Sequence, residues 1–138
     1  TRGVHIAERI VKRINKLEKI KPPMGTLDIT LYRDDLRRKT EWPKVERTEI
    51  PFSVEDKEVI LVDDVIYTGR TTRAALEEIM DFGRPSSIQL VTMVDRGHRE
   101  LPIQPDYVGI VVNTLSSEKV RVHLKETDGK DEVIVKKG

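Results

Sequence analysis

Cysteine is absent from this 138-residue chain, which excludes disulfides, thiol nucleophiles and thiolate metal sites together and fits a reducing, cytoplasmic compartment. Net charge is nearly absent too. The 25 Lys and Arg against 24 Asp and Glu leave +1, so there is no global pull toward nucleic acid or membrane, and any basic surface must be local. No stretch approaches the roughly 18 consecutive apolar residues that a membrane-spanning helix needs. Aromatics make up only 4% while charged residues reach 36%, a balance compatible with a thermophilic source. The chain opens at Thr1-Arg2-Gly3 without Met, which reads as a sequence missing its natural start. No internal repeat, low-complexity tract or interdomain linker interrupts residues 1–138, and this length suits one domain with one core.

What the chain does contain is periodic. Val4, Ile6, Ala7, Ile10, Val11, Ile14 and Leu17 recur at helical spacing with Glu8, Arg9, Lys12 and Arg13 opposite, predicting an amphipathic helix that ends before Pro22-Pro23. Leu27, Ile29 and Leu31 alternate with Asp28, Thr30 and Tyr32, as in a strand with one face inward. Periodicity then disappears across the charged segment 33–47, which is long for a connection and reads as a mobile loop or an extended hairpin. Residues 49–54 suggest a short edge strand, with Pro51 arguing against a central place. Residues 59–62, 74–80, 88–94 and 107–112 read as strand, helix, strand and strand, the first two strands parallel through a right-handed crossover. Gly83 caps the helix between them. The tail alternates over 120–125 and 132–136 around Thr127-Asp128-Gly129-Lys130, a closing β-hairpin. His5 and His123 read as a helix-surface residue and a strand residue. The predicted fold class is α/β: a mainly parallel twisted sheet flanked by helices, with a C-terminal β-hairpin.

Residues 59–71, Val-Ile-Leu-Val-Asp-Asp-Val-Ile-Tyr-Thr-Gly-Arg-Thr, carry the most chemistry. A brief β-branched apolar run suits a parallel strand covered on both faces. Thr68, Gly69 and Thr71 then supply a turn, and Thr71 or Thr72 is placed to cap the helix that follows. First-turn amides of a helix lack intrahelical partners and sit at the positive end of its dipole, so strand, Gly turn and helix start together make an anion site. Gly69 lets backbone amides close around a phosphate because it has no Cβ. Asp63 and Asp64, at the strand's carboxyl end, would repel that phosphate, so their targets are sugar hydroxyls or a divalent cation. The pattern asks for a ligand with both a phosphate and a ribose. No Gly-Lys-Ser/Thr follows and no Gly-x-Gly-x-x-Gly is present, which excludes a Walker A loop and a dinucleotide fingerprint.

This stretch closely resembles the signature of the type I phosphoribosyltransferases. The resemblance implies that Asp63 and Asp64 contact the ribose hydroxyls of phosphoribosyl pyrophosphate while Tyr67, Thr68, Gly69, Arg70 and Thr71 wrap its 5-phosphate. Thr1 and Arg2 resemble the second half of the loop that binds the pyrophosphate leaving group. Family members carry an N-terminal helix and strand before that turn, so a phosphoribosyltransferase-like domain lacking those two elements is expected. The segment 33–40 resembles the loop that closes over the substrates, with Arg33 a candidate to stabilise the leaving group. Mg²⁺ is implied as cofactor, held mainly by the substrate near Asp63 and Asp64, with no protein nucleophile required.

Residues 1–3, 27–36, 83–90 and 94–103 resemble, within that family, pyrimidine-operon attenuation regulators that are also uracil phosphoribosyltransferases. This implies transfer from phosphoribosyl pyrophosphate to uracil, giving UMP and pyrophosphate. Val94, Asp95, Arg96 and Gly97 would then lie near the base, and His98 and Arg99 are candidates for RNA contact. It implies a pyrimidine leader mRNA, control by UMP or UTP, and a homodimer or higher homo-oligomer, with no membrane. Gln104 and Ile110 depart from the pattern, standing where basic residues are expected, and Val111-Val112-Asn113 replaces the more usual Asn-Val/Ile-Pro. Lys119 and Arg121 remain as further cations. The alternative is a phosphoribosyltransferase for uracil or another nucleobase without an RNA role; the signature alone is shared with orotate and purine enzymes.

Overall fold

The computed structural model describes residues 2–29 and 48–138. An N-terminal helix, α1 (Arg2–Glu18), precedes β1 (Glu58–Ile66), α2 (Arg70–Phe82), β2 (Ser87–Asp95), β3 (Tyr107–Val111), β4 (Lys119–His123), a single helical turn α3 (Lys125–Asp128) and β5 (Glu132–Lys136). β1, β2 and β3 form a parallel sheet in that spatial order, with Leu61 opposite Leu90 and Thr92 opposite Val108. β4 and β5 form a separate antiparallel pair, Arg121 opposite Ile134. The expected α/β architecture with a C-terminal hairpin is the one observed.

α1 follows its apolar stripe: Ile6 is buried, Ile10 packs behind it, and the exposed face carries Lys12, Arg13 and Lys16. The helix closes where Lys19 adopts φ 58° and donates its N–H to Asn15 O at 2.9 Å, ahead of the two prolines. Ile6, Val94, Val122 and Leu124 form one buried cluster, with Val62, Val65, Val112, Val120 and Val133 packed against it. The cluster therefore joins α1, the parallel sheet and the hairpin. Each such aliphatic side chain contributes about 1.5–3 kcal/mol by leaving water. α2 presses Ala74, Ala75 and Ile79, all buried, toward the same layered interior.

Several boundaries differ from the sequence reading. β1 runs four residues past Val62, so Asp63 and Asp64 lie within the strand rather than beyond it; pairing of Val65 and Ile66 with Val94 and Asp95 extends the ladder past the acids. Gly69, at φ 91°, occupies the N-cap of α2, not Thr71 or Thr72. The strands expected at 27–32 and 49–54 reduce, among the described residues, to one antiparallel bridge between Thr26 and Glu49. The rest of the first, and the segment 33–47 with Arg33, lie outside the described residues, as does Thr1. The hairpin closes through α3 and Gly129, at φ 81°, instead of a simple turn.

Candidate active site

Three chain segments meet at the carboxyl end of the parallel sheet. The first runs from β1 into α2. Ile66 anchors the strand end at 2% exposure, and the chain turns through Tyr67, Thr68 and Gly69 into the helix. Thr68 Oγ1 accepts the Arg70 N–H at 3.2 Å, and the first intrahelical bond runs from Arg73 N–H to Gly69 O at 2.9 Å. That leaves the amides of Thr71 and Thr72 without intrahelical partners. Both residues line a cavity of about 90 Å³ together with Val65, Ile66, Tyr67, Thr68 and Gly69. The helix dipole adds positive potential there, so the cavity suits a phosphate.

The second group is the acid pair. Asp63 Oδ1 accepts the Asp64 N–H at 2.8 Å, and Asp64 Oδ1 accepts the Val65 N–H at 2.8 Å. Burial pushes Asp63 up to about 7, and the hydrogen bond and charge of Asp64 add to the rise. Gly3 brings α1 against these acids, since a Cβ there would stand 3.2 Å from Val62 O and 3.6 Å from Asp63 Cα. Arg2 holds Asp128 with both ends of its fork, Nε to Oδ2 at 3.2 Å and Nη2 to Oδ1 at 2.8 Å. This pairing, with a smaller contribution from the charge of Asp64, holds Arg2 above its ordinary pKa. Asp128 itself also accepts the Leu124 N–H and the Thr127 hydroxyl, and Arg2 first, then Leu124, hold it well below the carboxylate range.

The third segment, 95–104, follows β2. Arg96 is buried at 6% exposure, its guanidinium 4.0 Å over the Tyr67 ring and donating to Leu115 O at 3.0 Å. His98, at φ 70°, meets the Tyr67 ring edge-on at 5.7 Å, and its Nε2 lies 2.7 Å from Thr114 O. Gly97, at φ 79°, donates its N–H to Asp95 Oδ1 at 3.0 Å. Burial raises the Asp95 pKa, but the hydrogen bonds from Arg99 and Gly97 and the charge of Arg99 outweigh it and hold the group low.

The structure thus gathers Arg2, Asp63, Asp64, Tyr67, Thr68, Gly69, Arg70, Thr71, Asp95, Arg96, Gly97, His98 and Arg99 around one end of the sheet. Val94 is different: at 0% exposure it belongs to the core cluster, so its side chain offers no surface to a base. Sequence reasoning missed Asp128, which it took for a turn residue, and the carbonyls of Thr114, Leu115 and Ser116 that hold His98, Arg96 and the Tyr67 hydroxyl. The sequence signal for the latter was their place just after a strand in the same parallel sheet. Among the described residues no group of three or more His, Asp or Glu is arranged to hold a metal by itself.

Fold and site define a class, an α/β domain with a small cavity at a helix start and a carboxylate pair beside it on the preceding strand. The sequence matches the phosphoribosyl transferase domain over residues 1–127, and the chain belongs to that family. It is 53% identical over 138 residues to "Bifunctional protein pyrR" of Enterococcus faecalis, spanning 100% of this chain and 77% of that protein. It is 59% identical over 134 residues to "Bifunctional protein PyrR" of Pelotomaculum thermopropionicum, spanning 97% of this chain and 74% of that one. The hypoxanthine phosphoribosyltransferase from Trypanosoma cruzi, in complex with its product IMP, superposes with a TM-score of 0.61 at 15% identity. That superposition covers 98% of this chain and 70% of the other, and the likeness is one of fold.

Proposed function

We infer that this chain transfers the phosphoribosyl group of phosphoribosyl pyrophosphate to N1 of uracil, and that it also regulates a pyrimidine operon by binding leader RNA in response to uridine nucleotides. The observation that carries the enzymatic reading is the convergence, at one sheet end, of a phosphate cradle, a carboxylate pair and a loop stacked on the cradle's own tyrosine. The relatives named bifunctional PyrR support both halves of the reading.

In the reaction the ribose C1–O bond to pyrophosphate breaks, the C1–N1 bond forms, and the N1 proton is released. Positive charge develops on the ribose ring as the leaving group departs. Asp63 and Asp64 orient the ribose through its hydroxyls and lower the energy of that charge. The amides of 67–71 fix the 5-phosphate, so binding energy far from C1 orients the reacting end. Asp63 and Asp64 are hard oxygen donors, and a carboxyl held near 7 beside a second one gains from a nearby cation, so these two residues would hold Mg²⁺ near the substrate. When bound, Mg²⁺ supplies charge neutralisation on the leaving pyrophosphate. Segment 95–97 supplies the base end, with Arg96 held in place rather than free to reach outward.

A homodimer or larger homo-oligomer of the cytoplasm completes the proposal. Its support is β3, whose residues are all exposed, Val111 to 69% and Tyr107 to 57%. Radiolabelled uracil, phosphoribosyl pyrophosphate and Mg²⁺ give UMP with the wild-type chain. Lack of product, together with Asp63→Asn and Asp64→Asn chains that bind the cosubstrate as well as wild type, refutes the enzymatic reading.

A second reading, nucleobase transfer without RNA regulation, draws on Arg99 and Gln104, whose side chains bond each other, and on an apolar Ile110 exposed to 48%. RNA retention on filters at several salt concentrations separates the two. Affinity indifferent to salt and to UMP favours the second.

A further inference from the structure

Arg99 faces inward. Its side chain is 16% exposed, and four of its five N–H donors are placed on internal acceptors. Nε donates to Ile103 O at 2.8 Å, and Nη1 to Tyr67 O at 2.9 Å. Nη2 reaches Asp95 Oδ2 at 2.6 Å and Gln104 Oε1 at 2.9 Å. One guanidinium therefore ties the end of β2, the turn at 103–104 and the phosphate loop together.

Its bond to Tyr67 O is one of a pair. The next carbonyl, Thr68 O, accepts the Glu100 N–H at 2.9 Å and the Leu101 N–H at 3.2 Å. In a trans peptide the C=O and the following N–H point in opposite directions, and no cis peptide bond occurs among the described residues. Two carbonyls drawn toward 99–101 thus turn the N–H groups of Thr68 and Gly69 the other way. Leu101 and Ile103 back the loop, each placed 3.5 Å from where a Gly69 Cβ would stand. Arg70 and Glu100 pair at 2.7 Å across the same junction.

We propose that Arg99 is a positioning residue of the transferase: from the base-side loop it holds the Tyr67 carbonyl, so that the Thr68 and Gly69 amides face the 5-phosphate. This rests on the phosphoribosyl reading of the site. It also assigns Arg99 to the cradle and not to RNA. The role needs a fork of donors in fixed directions, which a lysine ammonium cannot reproduce, whereas a contact to an RNA phosphate needs only a positive charge.

The test compares wild type, Arg99→Lys and Arg99→Gln by calorimetry with UMP and with uridine, which differ only in the 5-phosphate. RNA filter binding and thermal unfolding accompany it. Both variants are expected to weaken UMP binding by about tenfold or more, the loss of a charge-assisted bond. Uridine affinity and the salt slope of RNA binding stay as in wild type. Equal losses for UMP and uridine reduce Arg99 to a structural residue and overturn the proposal. So does unchanged UMP affinity with an RNA salt slope lowered by about one and restored by lysine. A wild-type chain that makes UMP while both variants bind UMP normally overturns this inference alone. A wild type that neither binds UMP nor makes it overturns the phosphoribosyl reading as well.

Discussion

Replacing Gly69 by Ala isolates the contribution of the cradle's backbone. Gly69 sits at φ 91°, where an L residue with a Cβ costs about 1–2 kcal/mol. The added methyl would meet Leu101 Cβ and Ile103 Cβ at 3.5 Å, ordinary contact distance, so crowding adds little and nearly all the cost is conformational. The chain has two responses. It keeps the loop and loses about 1–2 kcal/mol of stability, or it relaxes toward negative φ and swings the Thr68–Gly69 and Gly69–Arg70 peptides out of place. Relaxation relieves the strain, and it weakens a ligand held by those amides by about tenfold for each 1.4 kcal/mol of interaction lost. Gly129→Ala is the control. Gly129 is also left-handed, at φ 81°, has nothing within 4 Å of the added carbon, and lies in the hairpin. Urea unfolding and UMP calorimetry on both variants read out the two terms. The expectation is that UMP binding falls by about tenfold in Gly69→Ala and is unchanged in Gly129→Ala, whose loss is in stability alone. If Gly69→Ala binds UMP as wild type does while losing the same stability as Gly129→Ala, the loop amides do not hold the phosphate.

The Asp63 carboxyl gives a pH signature. With a folded-state value of about 7, above the ordinary carboxylate value, the folded chain holds a proton that the unfolded chain has released between about pH 4 and pH 7. Stability from this group therefore falls as pH rises through that window, and the difference in urea midpoint between Asp63→Asn and wild type should widen in favour of the variant; a pH-independent difference contradicts it. Between α1 and the C-terminal hairpin, Arg9 pairs with Glu126 and Asp131 and holds both near 2. Their contribution is present above the ordinary carboxylate range and disappears as pH falls toward 2. Arg9→Met is expected to speed hydrogen exchange at β4 and β5 amides at neutral pH, less so in high salt, and not at all in acid. Protection unchanged at neutral pH and low salt would show that these pairs do not fasten the hairpin to α1.

Much of this was legible from residues 59–95. The apolar stripe of α1, the alternation of strand and helix, and the small-residue turn at 68–69 obey local rules of periodicity and backbone freedom, and local rules can be read in order along a chain. The exact end of β1 was not legible, because Asp63 and Asp64 look like strand breakers until Val65 and Ile66 find partners on β2. Thr71 and Thr72 looked like caps by composition, whereas the tight turn needed a left-handed residue that only Gly69 supplies cheaply. The pairing of Arg2 with Asp128 spans 126 positions, and nothing local to either residue announces it. The surroundings of Arg99 were not legible for a related reason. The resemblance made it a candidate for RNA contact, and only the fold brings Tyr67 O, Asp95, Ile103 O and Gln104 around it.

On the proposed reading the cradle, the acid pair and the 95–97 loop act on one phosphoribosyl donor and one base. Base-dependent release of pyrophosphate from phosphoribosyl pyrophosphate tests it most directly, with uracil, orotate and hypoxanthine offered separately in the presence of Mg²⁺. Pyrophosphate release is expected with uracil, one for each UMP formed, and none above background with the other two. Release with hypoxanthine or orotate but not uracil, or no base-dependent release at all, would contradict it.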